Sequence, residues 1–103
     1  MAEEIPLSCS LTEEELRIRE ATLMAQFKSA VRSIEELPDG YAFHLPGENK
    51  CLAIVSDLIE LERECCPFLK FELTAEPKMG ALVLRITGPA GTKEFLKIFS
   101  RES

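Results

Sequence analysis

Apolar residues along this chain recur at helical spacing in some stretches and at every second position in others. Leu16, Leu23, Phe27 and Val31 follow the helical period, while Glu13, Glu14, Arg17, Arg19 and Lys28 lie mostly off that stripe, predicting an amphipathic helix from about Glu13 to about Ala30. Thr12 and Glu15 supply a capping box at its start, and Leu11 is placed to staple onto Leu16. The period then changes. Ser33 to Leu37 and Tyr41 to Leu45 read as strands around Pro38-Asp39-Gly40, a turn with a preset φ, an Asx acceptor and a residue tolerant of positive φ. Pro46-Gly47 ends the second strand, and Asn49 is the expected cap of a helix carrying Leu52, Ile54, Val55, Leu58, Ile59 and Leu61. Its wide apolar face predicts a central position.

Pro67 disfavours the helical conformation at Cys66, so this helix is expected to end at or just before the adjacent pair Cys65 and Cys66. Leu69, Phe71 and Leu73 alternate with Lys70, Glu72 and Thr74, and after a turn at Pro77 to Gly80, Leu82, Leu84 and Ile86 alternate with Val83, Arg85 and Thr87. Gly88 and Pro89 suit the cap and first position of a short last helix whose apolar stripe is Phe95, Leu96 and Phe99. The fold class predicted is α+β: helix, hairpin, helix, hairpin, helix, with a four-stranded antiparallel sheet and helices mainly on one face. The 103 residues suit a single domain, with residues 1–10 an extended or flexible N-terminal segment.

Charge narrows the partners. Lys and Arg number 12 against 18 Asp and Glu, a net −6 that repels phosphate backbones and anionic membrane surfaces, so nucleic-acid binding is not expected. The start Met1-Ala2-Glu3-Glu4 lacks the pattern of a signal or transit peptide and no apolar run is long enough to span a bilayer, so the expected location is the cytoplasm. Four cysteines, two of them adjacent, make a poor disulfide scaffold and read as reduced thiols.

The segment Glu62-Arg63-Glu64-Cys65-Cys66-Pro67-Phe68-Leu69, followed by Phe71-Glu72-Leu73 and by Ile86 to Leu96, resembles a family of small uncharacterised bacterial proteins. The Cys-Cys-Pro-Phe segment also looks like ones attached to, or encoded beside, mercury-type regulators and heavy-metal resistance genes, and that resemblance implies a soft-metal role for Cys65 and Cys66. Chemically, neighbouring thiolates favour thiophilic ions such as mercury, arsenite or copper(I), with release of the thiol protons. The competing reading makes both cysteines small apolar plugs where helix meets sheet. Activation is opposed by the negative end of the helix dipole and by Glu62 and Glu64, with only Arg63 helping, so no catalytic cysteine is expected. Cys51 lies about 21 Å from Cys65 along a straight helix and cannot share its ion; a third ligand would have to be Cys9 or come from another subunit.

His44 alternates away from Tyr41, Phe43 and Leu45, and is expected on the sheet face opposite the core, near Lys70, Glu72 and Arg85. Gly88-Pro89-Ala90-Gly91-Thr92 opens a helix but lacks the spacing of a phosphate-binding loop. No Ser-His-Asp set or spaced histidine pair occurs. The function expected is therefore a non-enzymatic interaction or accessory domain without cofactor, acting as a homodimer or on a protein partner through the open sheet face; the alternative is soft-metal binding by the thiol pair.

Overall fold

A computed structural model describes residues 14–96, the side chains of Leu16, Cys65 and Phe95 excepted. The expected capping box at Thr12, the Leu11 staple, Cys9, the segment 1–10 and Phe99 lie outside those residues. The elements run α1 (Glu14–Ala30), β1 (Ser33–Leu37), β2 (Gly40–Leu45), α2 (Asn49–Cys65), β3 (Lys70–Ala75), β4 (Leu82–Thr87) and α3 (Thr92–Phe95). The protein is α+β, with one four-stranded antiparallel sheet in the order β1-β2-β4-β3.

Alternation decides which side of each strand is buried. Phe43 and Leu45 of β2 and Leu82, Leu84 and Ile86 of β4 join Leu23 and Phe27 of α1 and Cys51, Val55, Leu58 and Leu61 of α2 in one cluster, closed at one end by Leu96. The Phe27 and Phe43 rings meet edge to face, centroids 5.2 Å apart, which fixes α1 against β2. The intervening positions, among them Glu35, His44, Arg85 and Glu72, fall on the other face by the same period of two. Ala42 on that face is fully buried, a small side chain flanked in register by the long Glu35 and Arg85.

Close backbone approach explains one glycine. Gly40 stands opposite Thr87, and a Cβ there would sit 1.9 Å from the Ile86 carbonyl oxygen, so the turn after Pro38-Asp39 must deliver a residue without a side chain to β2. The strand consequently starts one residue earlier than Tyr41.

Two helix boundaries differ from expectation, the start of α2 and the start of α3, while the end of α2 falls where Pro67 predicts it. The cap of α2 is Glu48, which makes no side-chain capping bond, and Asn49 is already helical. At the other end α2 runs through Cys65, and Cys66 leaves it at φ −131° and ψ 70°, as the following proline requires. Gly88 and Pro89 do not open α3. Gly91, at φ 95°, is its cap, because glycine takes the left-handed conformation without a Cβ clash and lets the chain turn into Thr92. On α2, Leu52 is exposed, whereas Cys51 is buried.

Candidate functional site

The buried stripe of α2 steps through Cys51, Val55, Leu58 and Glu62, at intervals of four, three and four residues. This spacing keeps one face of a helix against the core, so Glu62 occupies a core position although it is acidic. Its side chain is 0% exposed. Four residues on, Cys66 is also 0% exposed, and its thiol donates to Glu62 Oε1 at 3.3 Å. The Cys66 amide donates to the Glu62 carbonyl at 2.7 Å. Glu62 therefore receives both donors of the residue that ends α2, one on its backbone and one on its side chain. A helix C-terminus leaves carbonyls without intrahelical partners, and here Cys66 satisfies one of them while the buried carboxyl finds a polar neighbour in the thiol.

The expected site residues thus fall in unlike surroundings. Cys65 is the last residue of α2 and Cys66 is its enclosed cap. The Cys66 sulfur sits among core residues, with Phe68 and Leu69 in the same cluster, and its proton points to a carboxyl oxygen. Metal capture or nucleophilic attack requires the opposite state, an accessible thiolate. Glu62, named from the sequence only as a charge that opposes thiolate formation, is the buried partner of Cys66; the signal that could have found it was its place on the stripe. Among the described residues, no group of three or more His, Cys, Asp or Glu side chains is arranged to hold a metal ion.

Cys51 lies near the start of α2, on the same continuous helix as Cys65, and lines a different feature. A cleft of about 730 Å³ runs between α1 and α2, with Gln26 and Ser29 on one wall, Lys50 and Cys51 on the other, and Arg32 at its end. Cys51 is 3% exposed at its base, and Lys50 pairs with Glu48 at 3.6 Å. A smaller cavity of about 150 Å³ lies between the Pro38-Asp39 turn and the loop Gly88 to Glu94. The Thr92 hydroxyl is buried there without a hydrogen-bond partner, packed so closely on Gly88 that a Cβ on Gly88 would meet it at 2.4 Å.

His44 occupies the face opposite the core, as its alternation requires, and is half-buried. Its Nε2 lies 3.5 Å from Glu35 Oε1 on the neighbouring strand, so the charged partner comes from β1 rather than from Lys70, Glu72 or Arg85. Arg85 stands in register between Ala42 and Glu72. That face carries both signs of charge, with Lys70 4.0 Å from Glu72. No helix among the described residues is long and apolar enough to cross a membrane. Compared with known proteins, the chain matches no family model, no curated protein and no solved structure.

Proposed function

We propose that the protein is a non-enzymatic interaction or accessory domain that engages a protein partner through the sheet face opposite its core. In this reading the chain forms two hairpins, each preceded by a helix and the second followed by one, with the helices mainly on one side, and it works in the cytoplasm. The observation that carries the proposal is that face itself: Glu35, Arg85, Lys70 and Glu72 are exposed, His44 and Val83 are half-buried, and both charge signs are interspersed, a pattern that a partner of complementary charge can match. A photo-crosslinking residue at Val83 should trap a discrete partner in cells, whereas the same residue at Ser56 on the exposed side of α2 should not. Equal trapping from both positions, or none from Val83, would overturn the reading.

The alternative is soft-metal binding by Cys65 and Cys66, supported by two adjacent thiols at the point where the chain leaves α2. It requires Cys66 to leave its carboxyl partner and the end of α2 to open. Calorimetric titration of reduced protein with mercury(II) or arsenite, against a small-thiol competitor, tests it: tight binding lost in the Cys65→Ser/Cys66→Ser variant supports the site, and equal behaviour of the two proteins removes it.

A further inference from the structure

The sheet has two outer strands, and only one has an edge suited to a second copy of itself. Outer strands present unpaired N–H and C=O groups, and proteins guard them with charge, proline or short length. β1 is guarded: it is five residues long, it carries adjacent Glu35 and Glu36, and self-pairing centred on the strand sets Glu35 against Glu35.

β3 differs. Its six residues, Lys70-Phe71-Glu72-Leu73-Thr74-Ala75, contain no proline, and all except half-buried Phe71 are exposed. In an antiparallel pair, residues directly opposite share a face, so a two-fold axis through β3 must pass through one residue. Centred on Glu72, the pairing would oppose two glutamates. Centred on Phe71, it sets Lys70 opposite the partner's Glu72 and Glu72 opposite the partner's Lys70 on one face. On the other face half-buried Phe71 meets the partner's Phe71. Opposite charges and paired apolar or aromatic residues at directly facing positions each favour strand association, and like charges oppose it.

We infer that β3 pairs antiparallel with β3 of a second copy about a two-fold axis at Phe71, joining two sheets into one of eight strands. The inference concerns the sheet edge and does not rest on the partner proposed above for the open face. Sedimentation of the full chain across a concentration series tests it. Wild type should dimerise. Lys70→Glu or Glu72→Lys alone creates two symmetric like-charge contacts and should weaken the dimer about ten-fold or more, whereas the double swap Lys70→Glu/Glu72→Lys restores the opposite pairing and should recover wild-type affinity to within about three-fold. Glu35→Lys on the other edge should leave dimerisation unchanged. Circular dichroism of each variant confirms that it folds. A monomer at every concentration, a dimer indifferent to the single changes, a dimer not recovered by the swap, or an open polymer from β1-to-β3 pairing would each overturn the inference.

Discussion

One row of the sheet passes through all four strands: Ile34 of β1, Phe43 of β2, Leu84 of β4 and Leu73 of β3, each in register with the next. All four are apolar and point to the same face, yet the middle two are 0% exposed while Ile34 is 40% and Leu73 is 38% exposed. The helices account for the difference. The buried residues of α1 and α2 share their cluster with β2 and β4, and of β3 only half-buried Phe71 packs against it. A strand's face is set by its own alternation, whereas its burial is set by what lies over it, which comes from elements distant in sequence.

The largest test of this contrast is truncation along the row. Phe43→Ala should cost about 3–5 kcal/mol and Leu84→Ala about 2–5 kcal/mol, whereas Ile34→Ala and Leu73→Ala should each cost less than about 1 kcal/mol. Urea unfolding at a concentration where the chain is monomeric measures all four. A Leu73→Ala penalty equal to that of Leu84→Ala would mean that the edge is covered, and the contrast would fail. Amide hydrogen exchange should rank the strands likewise, β2 and β4 slower than β1 and β3.

The approach to β3 is buried although the strand is exposed, and Cys66 marks the change. Its carbonyl accepts from the Leu69 amide at 3.1 Å, so the residue that ends α2 also shapes the step into the edge strand. Cys66→Ser exchanges a thiol suited to an apolar site for a hydroxyl of greater polarity in an enclosed one, and should cost about 1–3 kcal/mol by thermal or denaturant unfolding. Cys66→Ser having no effect would place the sulfur in solvent and revive its candidacy as a metal ligand.

The same division explains what could be read from the chain. Both alternating runs locate strands and faces correctly, and His44 lands on the expected side, because a period of two is a local property. Glu62 is named from the sequence only as a charge near the cysteine pair, and its burial was nevertheless signalled by its spacing on the buried stripe of α2. Leu52 was assigned to the core by type, and Cys51 beside it holds that position. The expected cap of α3 at Gly88 gives way to Gly91, three residues later, because no local pattern marks which glycine takes the left-handed φ. The exposure of Ile34 and Leu73 had no local signal at all.

The turn between β3 and β4 bears on the comparison more gently. Lys78 and Met79, at φ 60° and 58°, both adopt the left-handed region, and the Gly80 amide closes the turn on the Pro77 carbonyl at 3.1 Å. Such a turn favours Asn-Gly, and other residues lose stability there. Lys78→Asn/Met79→Gly should therefore raise stability by about 1–2 kcal/mol and firm the link between edge and middle strand. A loss of stability on denaturant unfolding would mean that the turn has a different backbone in solution.

The smallest expected effect belongs to the other edge. Lys93, next to the start of α3, donates to the Glu36 carboxylate on β1, and its ammonium lies 5.8 Å from the centre of the Tyr41 ring. Hydrogen bonding and charge from Lys93 hold Glu36 below its ordinary 4.5, and the hydrogen bond to Glu36 raises Lys93 above its ordinary 10.5. A lowered carboxyl contributes stability that is present above its unfolded value and lost as pH falls through its folded one. A raised amine contributes below its unfolded value and loses the contribution as pH rises through its folded one. The pair is thus fully effective between the two ordinary values, and its exposure keeps the contribution small. Lys93→Met should return the Glu36 carboxyl to its ordinary titration, followed by NMR, with little change in unfolding midpoint. Identical Glu36 titration in both proteins would show that Lys93 does not hold this edge, leaving the charge of β1 itself as its guard against pairing.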